Sequence, residues 1–358
     1  SYIDESIKAN WNRPALSNYG ANTLTYGVVA SEIERMHVLF EKCGIAKGEK
    51  VALCARNCAE WCVAYLAVVT YDAVCVPLLP DFLPQNIADL TRLSDSRLLL
   101  LDKNILAALK RDNIIPQFSA FAGFCGLVDI VGLEVRESCN GKLDGMTEEV
   151  EKTFATRFPN GVTAKRVDYA KTNLDNLGVI SYTSGTSSSP KGVMLTSRSI
   201  SSNVEYARTH IPAVAGDSIL SILPLAHIFG QIFDFVYPFT CGCHINIFTE
   251  KPIPARLLKA LADVKPYMFL TVPLLIEKIF RGRVMPQLKT PLMRVLLCIP
   301  GLNNVIYKKV CDKLIETFGG NVVKGGIILG GAALNKEVEV LMKKMKLPYT
   351  VGYGMTEC

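Results

Sequence analysis

The sequence predicts an α/β protein whose parallel sheet carries helices on its faces. Apolar, β-branched runs alternate with helical patterns in the order strand, helix, strand through 51–79 and again through 90–101, which is the signature of βαβ units. Of 358 residues, 49% are apolar and 20% charged, enough for a large core and more than one subdomain, and too apolar for a disordered chain. Two further strand-like runs flank a loop of small hydroxylated residues, Thr183–Ser189. The chain is organised around that loop.

Residues 1–22 read as an entry segment, and Ser1–Arg13 lacks the apolar centre of a secretory signal. After Thr25-Tyr-Gly27, the apolar residues Val29, Ile33, Met36, Leu39 and Phe40 share one face of a helix over 28–43, which Gly44 ends. Val51–Ala55 is a strand, and Asn57 is expected to cap the next helix. Trp61–Pro80, broken only by Asp72, is long enough for a membrane span. The Tyr71-Asp72 turn, Pro77 and the β-branched residues after the turn favour a buried helix, Ala59–Thr70, and a strand, Ala73–Leu78. Residues 102–170 carry no motif, and the polar stretch Glu134–Glu151 reads as surface loops.

Leu177–Tyr182 and Val193–Thr196 are the strands around the central loop. Thr196, Ser197 and Ser199 offer caps to a helix over Ile200–Arg208. The loop presents backbone N–H groups, hydroxyls and the cation of Lys191 to one point, as a polyphosphate requires. A flexible linker is the bland alternative. The loop's shortness, its flanking strands and the closing Pro190-Lys191-Gly192 argue against it. A Walker P-loop has the Gly185-to-Lys191 spacing but fails at Pro190 and Gly192, and expects a helix where a strand follows.

Ser218–Phe229 reads as a buried strand ending in a proline turn, with His227 at the carboxyl-terminal edge where ligands sit in open α/β sheets. Periodicity alone favours a satisfied core histidine there. Phe233–Cys241 is a helix, His244–Phe248 a strand and Lys251–Val264 a helix. Tyr267–Phe280 is a strand turning into a helix at Pro273, with Ile276 and Ile279 in the core. Gly326–Leu334 is a strand running into Gly330-Gly331, glycines against which a ligand ring or carboxyl can lie. Asn335 caps a helix over Glu337–Lys346. Tyr349–Glu357 is a last strand with a polar tip, where Tyr353 can stack on a purine, Thr356 can donate to a phosphate and Glu357 can hold Mg²⁺. An ordinary sheet edge is the alternative.

The net charge of +6, from 39 basic and 33 acidic residues, is mild and reads as scattered, so no nucleic-acid partner is expected. Twelve cysteines point to a reducing compartment. Cys54, Cys75 and Cys298 read as small core residues. Neither Cys54/Cys58/Cys62 nor Cys241-Gly-Cys243-His244 has the ligand set of a zinc site.

Thr183-Ser-Gly-Thr-Ser-Ser-Ser-Pro-Lys-Gly192 resembles the phosphate-binding signature of the adenylate-forming (AMP-binding) superfamily, with Ser187 and Ser188 where Thr and Gly are usual. Thr25-Tyr-Gly27, Gly44-Ile-x-x-Gly-Glu-x-Val-Ala-Leu53, Asn57-x-x-Glu-Trp61, Val76-Pro-Leu78, Pro224-Leu-x-His-x-Phe229, Gly330-Gly-Ala332 and Tyr353-Gly-Met-Thr-Glu357 match other superfamily motifs, in order, over essentially the whole chain. Val272-Pro-x-x-x-Glu-Lys-Ile279 is similar to long-chain fatty acyl-CoA synthetases in particular. Asp72 stands where a glycine is usual, and Gly230 where long-chain members often have Glu.

The resemblance implies an N-terminal domain of the acyl-CoA synthetase/luciferase type, with layered β-sheets and helices on their faces. Residues 1–358 are expected to be that domain, of two or more subdomains and truncated at its end, without the C-terminal cap domain. The fragment alone is expected to bind nucleotide weakly and turn over poorly. The implied reaction joins a carboxylic acid, a long-chain fatty acid by this resemblance, to ATP and then to coenzyme A. It implies that Thr183, Ser184, Gly185, Thr186, Ser187 and Lys191 hold the phosphates. Tyr353 and Gly354 pack at adenine with Gly330, Gly331 and Ala332 nearby. Thr356 contacts the α-phosphate, Glu357 and Thr183 bind Mg²⁺, and His227 borders the acyl pocket. A cytoplasmic location with peripheral membrane contact is expected, since long acyl chains partition into bilayers. Oligomeric state is left open. An aryl- or aminoacyl-adenylating member of the superfamily is the first alternative, although no substrate-pocket Asp is evident around His227. A non-catalytic ATP-binding protein is the second, opposed by Lys191, Thr356 and Glu357.

Overall fold

The expected parallel sheet is present, and it is one of three. The computed structural model describes residues 1–169, 173–183, 190–250 and 252–357. Its largest sheet has seven strands in the order Val135–Ser138, Gly126–Asp129, Ser96–Leu101, Lys50–Cys54, Val74–Pro77, Leu177–Thr183 and Lys191–Thr196. The inner five run parallel, and each outermost strand folds back antiparallel on its neighbour. A four-stranded sheet orders Ser218–Ser221, His244–Ile247, Pro14–Asn18 and Thr23–Thr25, with the first three parallel. A three-stranded sheet of Phe269–Thr271, Ile327–Leu329 and Tyr349–Val351 is wholly parallel.

The long apolar run resolves as a helix, Ala59–Thr70, and a strand, Val74–Pro77. Ten of the helix's 12 residues are buried, because it packs against strands of both the seven- and four-stranded sheets. A helix covered on both sides needs apolar residues all round. Trp61 and Tyr65 stack within it at 5.7 Å and meet Phe235 edge-on. Among the described residues no helix is long and apolar enough to cross a membrane. Asp72, at φ 66°, takes the left-handed turn between helix and strand that a glycine would take without strain.

Several expectations are corrected. The cap of Ala59–Thr70 is Cys58, whose sulfur accepts from the Trp61 N–H, and Asn57 is engaged elsewhere. Ser218–Phe229 is a strand only to Ser221, and the expected helix over 233–241 begins earlier, as a π-helical turn, Gln231–Val236, continued by Tyr237–Thr240. Glu134–Glu151 is not loop. It holds the edge strand Val135–Ser138 and the first half of a helix, Met146–Arg157, whose buried Met146, Val150 and Phe154 recur every four residues. That stripe packs on the helix Tyr26–Lys42. Cys298 is exposed, unlike the buried Cys54 and Cys75.

Candidate active site

Strands of the two smaller sheets end in residues that do not continue a strand, and several of these residues meet at one cleft. In the three-stranded sheet, Thr271 is followed by Val272-Pro273, Leu329 by Gly330-Gly331, and Val351 by Gly352-Tyr-Gly354. In the four-stranded sheet, Ser221 leads through Pro224 to His227. From the large sheet come Leu195 and the following helix, Ser197–His210, which Thr196 caps by accepting from the Ser199 N–H. These segments enclose a cleft of about 1010 Å³. Its walls include Leu195, Ile200, Ile211, Ile228, Phe229 and Ile232, and its polar rim carries Ser199, Ser202, Asn203 and Lys324.

Of the residues expected to act, His227, Gly330, Gly331, Tyr353, Gly354, Thr356 and Glu357 all line this cleft. Ala332 is exposed beside it but does not line it. Thr183 and Lys191 face each other in register at the open end of the hairpin and are not lining residues. Ser184, Gly185, Thr186 and Ser187 lie outside the described residues.

His227 is not a core histidine. It is exposed on the cleft, and its Nδ1 accepts from the Phe229 N–H at 3.3 Å, capping the short helix Ile228–Gly230. That bond leaves the proton of the neutral ring on Nε2. Partial loss of water around the imidazole lowers its pKa. A Cβ on Gly230 would sit 2.7 Å from the Pro224 carbonyl oxygen, so this turn excludes a larger side chain. Gly330 and Gly331 differ in their reasons. The Phe229 ring occupies the space over Gly330, 2.5 Å from where a Cβ would be. At Gly331 a Cβ would meet only the Val272 side chain, at 3.9 Å, but the φ of +84° favours glycine.

Three side chains that sequence reasoning passed over hold the turn presenting His227. Asn57 donates from Nδ2 to the Leu223 carbonyl at 2.7 Å and accepts from the Leu225 N–H at 3.0 Å. Asp234 accepts from the N–H groups of Ile222 and Leu223, each at 3.1 Å, and Gln231 donates to the Leu225 carbonyl at 3.4 Å. Asp234 is fully buried and does not line the cleft. Glu277 plays a comparable part on the neighbouring edge. Its carboxylate accepts from the Asn335 N–H at 2.9 Å, fastening the helix Pro273–Ile279 to the residue that caps Lys336–Met345. Only the Asn57-x-x-Glu-Trp61 motif offered a signal, and it read as a cap. Replacing Asn57 with Ala strands a carbonyl and an N–H in this turn. We expect the change to cost about 1–3 kcal/mol, read as a lower urea midpoint at unchanged m-value.

The fold is that of acyl-CoA synthetase-type N-terminal domains. It superposes on the anthranilate CoA ligase AuaEII in complex with anthranoyl-AMP with a TM-score of 0.72 at 16% identity, covering 99% of this chain and 58% of that one. ATP-bound MatB from Rhodopseudomonas palustris gives 0.70 at 18% identity, covering 99% and 60%. The sequence model of the family described as AMP-binding enzyme matches residues 3–358, and the chain belongs to that family. Among curated relatives, the long-chain-fatty-acid–CoA ligase 5 of Rattus norvegicus is 27% identical over 344 residues, which are 88% of this chain and 48% of the relative. The chain thus spans about half the length of such relatives.

Proposed function

We propose that this chain binds ATP and a long-chain fatty acid and supports formation of the acyl-adenylate, from which coenzyme A takes the acyl group. The observation that carries this reading is the cleft: its walls are aliphatic and aromatic, and its rim gathers the Gly330-Gly331 turn and the Tyr353–Glu357 segment at the sheet edges. An apolar cavity with a few convergent polar groups is the usual form of a small-molecule site.

In the proposed reaction a carboxylate oxygen bonds to the α-phosphorus of ATP and the bond to pyrophosphate breaks. The coenzyme A sulfur then attacks the acyl carbon and AMP leaves. The chain's part is placement and charge neutralisation, which dominate phosphoryl-type transfer. Tyr353, 92% exposed, offers a free ring face for adenine. Lys191, exposed beside the central loop, neutralises phosphate charge, and the Thr356 hydroxyl donates to the α-phosphate. His227 offers its Nε2 proton at the junction of the apolar wall and the rim. For Mg²⁺, the exposed Glu357 carboxylate and the Thr183 hydroxyl are hard oxygen donors of the right kind, and magnesium commonly takes one or two carboxylates with phosphates and water. Bound by them, the ion would supply further charge neutralisation to the phosphates.

Pyrophosphate release by the full-length protein, with ATP and Mg²⁺ and with acetate, benzoate, an amino acid or palmitate, tests the reading. We expect release with palmitate and thioester only when coenzyme A is added. Release with benzoate or an amino acid instead would keep the adenylation chemistry and overturn the substrate class. ATP binding without release for any acid would establish a non-catalytic protein.

A further inference from the structure

The positive charge of the chain is gathered, not scattered as its composition suggested. Residues 278–311 hold seven of the 39 basic residues and none of the 33 acidic ones, so the other 324 residues carry a net −1. All seven, Lys278, Arg281, Arg283, Lys289, Arg294, Lys308 and Lys309, are exposed. Among the described residues only Lys289 has a carboxylate within 4 Å, that of Glu337 at 3.0 Å. The same segment turns apolar side chains outward. The helix Pro291–Leu297 buries none of its residues, with Leu292 70% and Val295 64% exposed. Ile299, just after that helix, and Val305, in the first turn of the next helix, Leu302–Thr317, are exposed as well. A surface helix ordinarily turns such residues to the core.

We propose that this face docks on an anionic phospholipid bilayer. Leu292, Val295, Ile299 and Val305 enter the boundary between headgroups and acyl chains, and the Lys and Arg residues around them meet lipid phosphates and carboxylates. An apolar ridge set in basic charge is the composition of interfacial membrane contacts. The helix has seven residues, too few to span, so the contact is peripheral. The charge argues for lipid over a second copy of the chain, because pairing this face with itself would set like charges together. The proposal is independent of which acid the cleft takes.

Flotation of the full-length protein with phosphatidylcholine vesicles, with and without phosphatidylserine, tests it. We expect flotation with the anionic vesicles, about tenfold less with neutral ones, and loss as salt rises. Leu292→Glu/Val295→Glu and Lys308→Glu/Lys309→Glu should each reduce flotation about tenfold at unchanged thermal unfolding, since all four side chains are exposed. Equal flotation of variants and parent, or none with either vesicle, would overturn the proposal. So would sedimentation showing a self-association that Leu292→Glu/Val295→Glu abolishes, which would assign the face to a second copy.

Discussion

Replacing Lys191 with Ala in the full-length protein is expected to lower kcat for pyrophosphate release by about 10²–10³-fold, the loss seen when one preorganised group facing transition-state charge is removed. Lys191 opens the second strand of the hairpin, opposite Thr183, at the end where the hydroxyl-rich loop joins. It is exposed, and among the described residues no carboxylate lies within 4 Å of it to hold it elsewhere. Its removal therefore leaves the core intact, and the unfolding midpoint should stay within about 0.5 kcal/mol of the parent. The kinetic split decides the role. A cation that binds ATP and the transition state equally raises KM alone, whereas one that meets charge developing in the transition state lowers kcat. Lys191→Arg should recover only part of the rate, because a planar guanidinium does not reproduce a compact ammonium. Activity of Lys191→Ala within threefold of the parent would remove the loop from the chemistry.

The parts of this fold that were legible in the sequence are those where local chemistry and tertiary environment agree. The strand end at Gly330-Gly331 is written in residues that stop a strand and was readable as one, whereas the strands toward Pro224 and Glu357 end earlier than their apolar runs suggest, at Ser221 and Val351. The capping residues Thr196 and Asn335 act where expected. What was not legible depends on partners distant in the chain. Asn57 looks like a helix cap, but its amide is claimed by Leu223 and Leu225, more than 160 residues away. The helix Met146–Arg157 hides a three-residue apolar stripe among charges, and needs the helix Tyr26–Lys42 to make it worth burying. The clustered basic charge of 278–311 is hidden in the chain's overall +6 because the remaining residues are close to neutral. Cys298 sits in an apolar run, yet that run is the one turned outward.

Asp234 is expected to have a large pH effect on stability between acid and neutral pH. The residue sits on the π-helical turn Gln231–Val236 with its side chain fully buried. Its Oδ2 accepts from two backbone N–H groups, the nearby Ser221 hydroxyl also favours the charged form, and no cation is paired with it among the described residues. Burial in an apolar surround disfavours the carboxylate and pushes its pKa up to about 7, against the help of those hydrogen bonds. In the unfolded chain the group titrates near 3.8. Between these values Asp234 binds more proton in the folded than in the unfolded state, so its contribution to stability falls as pH rises from about 4 and levels off above about 7, opposed below about 6.5 by buried His37, whose pKa burial lowers to about 4. At one pKa unit per 1.36 kcal/mol, the full effect is roughly 4 kcal/mol. Asp234→Asn keeps a carbonyl oxygen for the Ile222 and Leu223 N–H groups but has nothing to titrate. Its unfolding free energy should therefore lose this slope and exceed the parent's at pH 8. Asp234→Ala strands both N–H groups and should cost about 1–3 kcal/mol even at pH 4. Because those groups belong to the turn that carries His227, the Ala variant should also lose activity while the Asn variant retains it. Urea unfolding of all three proteins across pH 4–8 reads the effect directly. Parallel pH profiles for parent and Asn variant would mean that the Asp234 carboxylate is solvated in place, and that burial is not what governs this turn.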